Sequence, residues 1–468
     1  MLFNSVLFVF CFVPVFFIVY FLLPDSWKNA FALLASMAFY AWGAPRFVLV
    51  LSAAVLCDFL LAKVIAAQQG HRRKYWLAFA IAINLAVLLY FKYFNFFAQN
   101  LAALFNTPSP TVQILLPIGI SFFTFHEISY LVDVYRKTRQ PFTNLVNYAL
   151  YIFLFPQLIA GPIIRFHQIS EQLQNRSANH TAQNRLSGLF RFVMGLAKKV
   201  LIADVIGLEV DKLFAAPPEM LGSSAAWLGA VLNLVRIYID FSGYSDMAIG
   251  LALAMGFKFP ENFNSPFTAQ SVTEFWQRWH ISLSSWFRDY LYIPLGGNKG
   301  TRLRMALNII LVFLISGFWH GAQWKFVAWG LGFGLIAAAE RFFIKQPDKK
   351  MAALKTALTF FICVNLFVLF TAPGLSAAGQ YYSTMYGLGR SNWAFYLSLK
   401  TKLAIAAAVL ISFGAFSSTL KQAAEKLWAP QQTENGYIAI AAATVGLLLI
   451  CGSMLFVSGY HPFLYFKF

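Results

Sequence analysis

Apolar runs of about bilayer-spanning length recur along the whole chain, and no other feature narrows its possible folds so far. After an opening run from Leu2 to Leu23, further stretches lie near residues 29–42, 46–66, 76–94, 145–160, 187–206, 224–239, 305–319, 322–343, 355–373, 402–419 and 436–458. About twenty apolar residues carry a helix across the hydrocarbon core, and in lipid only helices and closed barrels satisfy their own backbone. The short alternating segments of a barrel are not found. The sequence therefore predicts an all-α polytopic integral membrane protein with roughly eleven to thirteen crossings. With no repeat, linker or low-complexity stretch, residues 1–468 are expected to form one integral domain. The opening run lacks a basic start and a small-residue cleavage site, so it is expected to be a retained span.

Charge is scarce and uneven. Only 12% of residues are charged, about half the fraction of a soluble domain. The net charge of +18 would suggest nucleic acid in a soluble protein. Here the bases fall in short segments, HRRK at 71–74, RKTR at 136–139 and KKV at 198–200. That pattern is expected of cytoplasmic loops, which places the N-terminus outside and removes nucleic acid from the partners. The polar stretch 165–186 is expected to be a cytoplasmic helix and loop. Cys11, Cys57, Cys363 and Cys451 sit in apolar runs without CxxC spacing and are expected to be core residues, with no metal site.

Four segments fit neither a clean span nor a clean loop. Residues 115–136 carry His126, Glu127 and Asp133 in an otherwise apolar helix, and 155–166 is broken by Pro156, Gly161 and Pro162. Residues 238–257 carry Asp240, Ser242, Ser245 and Asp246, and 273–300 is dense in aromatics and charges. Polar or broken backbone at membrane depth persists only inside protein or beside a wet cavity. An internal cavity follows, which suits a transporter or an intramembrane enzyme equally.

Two histidines carry the chemistry. His320 closes the uncharged run Met305–Trp319 between Gly317, Gly321 and Ala322, where small neighbours would let a substrate group approach the imidazole. A neutral imidazole there can take a proton from a hydroxyl or thiol; the alternative is a core histidine bonded to a backbone carbonyl. His280 lies among Glu274, Arg278, Arg288 and Asp289, in a segment that also reads as an interfacial helix. His126 is a weaker candidate, with Asp133 two turns away. Asp240 and Asp246 could orient a histidine or bind a cation, but pairing, for instance with Arg236, is expected first. The loop 294–304, PLGGNKGTRLR, combines glycine amides with Lys299, Arg302 and Arg304, as phosphate binding requires. The final residues, GYHPFLYFKF, read as an interfacial anchor or as a segment folding back to present Tyr465. His167, His180 and His461 are assigned no chemistry. The GxSxG, HExxH and GxxxxGK[ST] motifs of hydrolases, zincins and P-loops are not found.

Taken together, TEFWQRWHISLSSWFRDYLYIPLGGN, DFSGYSDMAIG, LPIGISFFTFHEISYLVDVYR, LIAGP and SGFWHGA resemble the membrane-bound O-acyltransferase family, most closely its bacterial branch that exports acyl groups for envelope polysaccharides. The resemblance runs from about residue 1 to 345. It implies helices ringed around a central funnel, with re-entrant or interfacial pieces. It implies catalytic roles for His320 and His280, and an acyl-relay role for Tyr465. Around the donor it implies contacts from Trp279, Arg288, Asp289 and Tyr292, and from Gly296, Gly297 and Asn298 of the loop. Trp319, His126, Asp240 and Asp246 complete the implied substrate-facing set. No permanently bound cofactor is implied. Acetyl-CoA would be the donor, a periplasmic protein the partner, and the bacterial inner membrane the location. Peptidoglycan is the expected acceptor, with alginate or another exopolysaccharide as the alternative; a D-alanyl transferase fits less well. A flippase for a lipid-linked glycan, or a scaffold of an export complex, is the reading from other classes.

Overall fold

The computed structural model describes residues 3–108, 114–217, 220–343, 351–387, 396–419, 422, 433–458 and 462–464. Contacts divide the chain into two compact units, one of residues 1–192 with 248–260 and one of 193–247 with 261–468. Among the described residues seven helices are long and apolar enough to cross a membrane, and regular secondary structure is entirely helical.

The first unit contains α1 (Val13–Leu22), α2 (Asp25–Gly43), α3 (Phe47–Ala67), α4 (Gly70–Leu88), α5 (Phe94–Leu104), α6 (Ile120–Tyr135), α7 (Leu145–Phe153), α8 (Phe155–Leu158), α9 (Phe166–Gln174) and the start of α10 (Ala182–Ala197). The apolar run expected over 145–160 breaks at Leu154, because Pro156 cannot continue the hydrogen-bond ladder and instead starts the short α8. That break drives Phe155 into an aromatic cluster with Phe12, Phe16 and Phe39, ring centroids 5.3, 5.1 and 5.9 Å away. Every residue of α6 from Ile120 to Val134 is buried, so His126, Glu127 and Asp133 are enclosed by protein.

The stretch 165–186 is less solvated than its composition suggests. Arg176 is buried and donates to Tyr20 Oη (2.8 Å), Asn29 Oδ1 (2.7 Å) and the Met255 carbonyl (3.1 Å). Its guanidinium also lies 4.1 Å from the Phe257 ring centroid. The HRRK segment lies inside α4, where buried Arg73 donates to the Val134 carbonyl.

The second unit contains the end of α10, α11 (Asp204–Ala215), most of α12 (Ser223–Ala254), α13 (Val272–Arg278), α14 (Ile281–Phe287), α15 (Arg302–His320), α16 (Trp324–Phe343), α17 (Ala352–Thr371), α18 (Leu375–Met385), α19 (Leu399–Phe413) and α20 (Glu434–Ser458). The polar residues Asp240, Ser242, Ser245 and Asp246 interrupt nothing: α12 runs 32 residues without a break. Its apolar window is 78% buried, against 22–39% for the other six candidate spans, so protein rather than lipid surrounds it. That setting is where a spanning helix tolerates Asp240, Ser242, Ser245 and Asp246. The lysines of KKV are not in a loop. They occupy a π-helical stretch, Lys198–Ala203, that joins α10 to α11.

Candidate active site

The site begins with a break in the aromatic, charged segment. Helix α13 ends at Arg278, His280 adopts a left-handed backbone (φ 45°), and α14 restarts at Ile281. This conformation is uncommon for a residue with a Cβ and persists only where surrounding contacts enforce it. The enforcing strand of chain is 262–264: the Asn264 amide donates to the Arg278 carbonyl and the Ile281 amide to the Asn262 carbonyl, each at 2.9 Å.

The Asn262 side chain then determines the chemistry of His280. Its Oδ1 accepts from the Ser282 amide (3.3 Å), from Ser282 Oγ (2.9 Å) and from His280 Nδ1 (3.1 Å), while Nδ2 donates to Ser245 Oγ (3.0 Å). A backbone N–H can only donate, so the atom facing Ser282 is the amide oxygen. His280 must therefore carry its proton on Nδ1, which leaves a bare lone pair on Nε2. That Nε2 is buried and has no hydrogen-bond partner among the described residues. Burial, and then the neighbouring His320, hold the His280 pKa well below its ordinary value of 6.5, so the ring is neutral at physiological pH. Phe241 of α12 packs edge-on against it, centroids 4.7 Å apart.

His320 is the last residue of α15, and its ring packs edge-on against Trp329 (5.1 Å), Trp319 (4.9 Å) and Phe370 (5.4 Å). The flanking glycines serve helix packing and not substrate access. A Cβ on Gly317 would strike the Phe326 carbonyl, and one on Gly321 the Phe326 ring. Lys325 fixes the opposite wall, donating to the Phe370 (3.3 Å) and Ala372 (2.8 Å) carbonyls at the end of α17.

His280 and His320 line one cavity of about 30 Å³, room for little more than a water molecule. Asp240, Phe241, Trp276 and Leu464 complete much of its wall. A larger cleft of about 490 Å³ shares Trp276 with it. That cleft is lined by Leu283, Phe287 and Phe313, with Arg288, Tyr292 and Arg341 among its polar groups.

The other expected site residues divide cleanly. Trp279 and Asp240 line the histidine cavity, and Arg288, Tyr292 and Asn298 line the larger cleft. Asp289 binds Arg288 at 2.7 Å, and Tyr292 Oη donates to Asn298 Oδ1. Gly296 and Gly297 have left-handed backbones, but their amides donate to the Ile293 and Tyr292 carbonyls, so they close a turn and do not present a phosphate cradle. Trp319 touches His320 without lining the cavity. His126 belongs to the first unit, where its Nε2 accepts from the Ile164 amide, and Asp133 binds His167 (2.9 Å) and not His126. Asp240 does not pair with Arg236, which binds Asp211. Asp240 instead binds Lys199 at 2.8 Å. Asp246 is bound to Lys198 and lines neither cavity. Tyr465 lies outside the described residues.

The family model described as MBOAT, membrane-bound O-acyltransferase family, matches residues 34–384. The chain is 39% identical to a protein of Azotobacter vinelandii named probable alginate O-acetylase AlgI, the alignment covering 100% of both. It is 42% identical to the probable alginate O-acetylase AlgI of Pseudomonas aeruginosa, over 83% of this chain and 75% of that one. It is 36% identical to the peptidoglycan O-acetyltransferase of Helicobacter pylori, over 83% of this chain and 80% of that one. The chain belongs to the membrane-bound O-acyltransferase family. It is a multi-pass membrane acyltransferase, and the flippase and scaffold readings fall away.

Proposed function

We propose that this enzyme takes acetyl from acetyl-CoA on the cytoplasmic side of a bacterial inner membrane and passes it, through a periplasmic partner protein, to hydroxyls of an envelope polysaccharide. The observation that carries the reading is the pairing of two histidines of different character on one small cavity. Both polymers named for its relatives, peptidoglycan and alginate, offer sugar hydroxyls to the same chemistry.

The two imidazoles divide the work. His280 is locked by Asn262 and fully buried, which penalises its imidazolium. It suits a neutral acceptor, its Nε2 taking a hydrogen bond from the amide N–H next to the thioester. His320 is only partly buried and acts as general base. The hydroxyl of the relay residue expected at Tyr465 gives its proton to His320 as its oxygen attacks the thioester carbonyl, forming an acetyl ester that the partner can take up. The tetrahedral intermediate collapses with cleavage of the C–S bond, and the imidazolium returns the proton to the departing thiolate. The apolar cleft beside Trp276 is suited to the pantetheine arm, with Arg288 and Arg341 in its lining suited to the phosphates of CoA.

The test uses protein in nanodiscs with radiolabelled acetyl-CoA, followed by free CoA released and label transferred to acetyl-accepting alginate or peptidoglycan fragments in the presence of the candidate partner. His320→Ala is expected to abolish CoA release. Release at the wild-type rate from His320→Ala would overturn the assignment.

A further inference from the structure

Lys199 and Asp240 are buried within the second unit, and two of the groups that complete them come from the far end of the chain. The ammonium of Lys199 has three N–H donors, and all three are occupied: by Asp204 Oδ1 (2.7 Å), by Asp240 Oδ1 (2.8 Å) and by the Pro462 carbonyl (3.2 Å). The other Asp240 oxygen accepts from the Leu464 amide at 2.8 Å. The cluster thus offers one donor and one acceptor, spaced to meet the main chain two residues apart. Two carboxylates against one ammonium leave a surplus of negative charge, which an additional N–H relieves. Between the two contacts Phe463 is buried, 4.6 Å from Lys199 Nζ and edge-on to Tyr244 at 4.9 Å.

The same face of α12 connects this arrangement to the histidines. Ile237, Asp240, Phe241 and Tyr244 follow the i, i+3, i+4, i+7 spacing of one helix face. Along it Asp240 and Tyr244 hold the segment 462–464, Phe241 packs on His280, and Asp240 and Leu464 both line the histidine cavity.

We propose that Lys199, Asp240 and Asp204 form a clamp for the main chain of residues 462–464, holding Leu464 as a wall of the histidine cavity in which acyl transfer takes place. The clamp grips backbone atoms, so it defines register while leaving side-chain identity at 462 and 464 free. These are positioning residues. Their role in transfer rests on the function proposed above, whereas their grip on the segment does not.

Two measurements separate the two. Hydrogen–deuterium exchange of the peptide containing Leu464 is followed in full-length protein in nanodiscs, for wild type, Lys199→Met and the milder Asp240→Asn. Lys199→Met is expected to speed exchange there about ten- to a hundredfold, the effect of losing a hydrogen bond to a buried charged group. Asp240→Asn keeps an oxygen for the Leu464 amide and is expected to retain most of the protection. Unchanged exchange in Lys199→Met would overturn the clamp whether or not the protein turns over acetyl-CoA. In the second measurement, acetyl transfer is assayed for Lys199→Met, for a chain ending at Ser458, and for both changes together. The clamp requires that Lys199→Met lower turnover with the donor KM unchanged, and that it add nothing once the segment is removed. Losses that add independently would overturn the positioning role. Failure of wild type to use acetyl-CoA would instead refute the acetyl-CoA reading proposed above and leave the exchange result standing.

Discussion

The side-chain oxygen of Asn262 lies 3.1 Å from His280 Nδ1 and simultaneously takes the Ser282 amide, which makes the histidine tautomer a consequence of the backbone. Removing that oxygen frees the ring to protonate either nitrogen. Asn262→Ala is expected to lower turnover about ten- to a hundredfold, the worth of one hydrogen bond whose loss leaves a buried donor unmet. Asn262→Asp keeps an acceptor but adds a negative charge that favours the imidazolium. Its pH–rate profile is expected to lose activity at a higher pH than wild type as pH falls. Identical profiles for Asn262→Asp and wild type would argue that His280 is not part of the reaction.

The same burial makes stability depend on pH. The folded pKa of His280 is depressed, so below the unfolded value near 6.5 the unfolded chain binds a proton that the folded protein does not. Stability from this group is present above that pH and is lost as pH falls, by at most about 1.4 kcal/mol per pH unit. Thermal melting from pH 7.5 to 5 is expected to fall more gently for His280→Gln than for wild type. Parallel curves would mean that the ring does not remain neutral.

Gly317 and Gly379 make opposite predictions for the same substitution. A Cβ at Gly317 meets the Phe326 carbonyl and then Gly330 Cα at 3.1 Å, whereas one at Gly379 in α18 meets nothing within 4 Å. Gly317→Ala should wedge α15 from α16, destabilising by about 1–3 kcal/mol or more, and displace His320 with loss of activity. Gly379→Ala should stabilise by about 0.4–1 kcal/mol through helix propensity. Melting temperatures and CoA release of the two variants test the pair directly.

Lys325 holds the end of α17, whose Phe370 packs on His320. Lys325→Met keeps the aliphatic stem and leaves two buried carbonyls without their donor, for a loss of about 1–3 kcal/mol. Turnover is expected to drop with it while the protein still inserts and purifies as a single species. Full activity in that variant would show that Phe370 does not need this anchor to place the imidazole.

What the amino-acid sequence determined by itself is what depends on composition and local spacing. Long apolar runs announce membrane helices because the bilayer imposes a length and a backbone rule on any chain that enters it. His320 stood out because a polar ring in apolar surroundings must be satisfied or used, and the motifs around it and around His280 carried the family. Only the tertiary structure decided which polar groups meet. Lys198 and Lys199 read as loop bases, yet they lie in a helix and are bound to Asp246 and Asp240. Asn262 carried no signal at all, although it orients a histidine 18 positions away, and the Leu464 amide reaches Asp240 across 224 positions. Glycines 317 and 321 looked like room for substrate and turned out to be room for Phe326. Helical periodicity says which residues share a face of one helix. Which face of which other helix it meets, and so where each buried donor finds its acceptor, follows only from packing the whole chain at once.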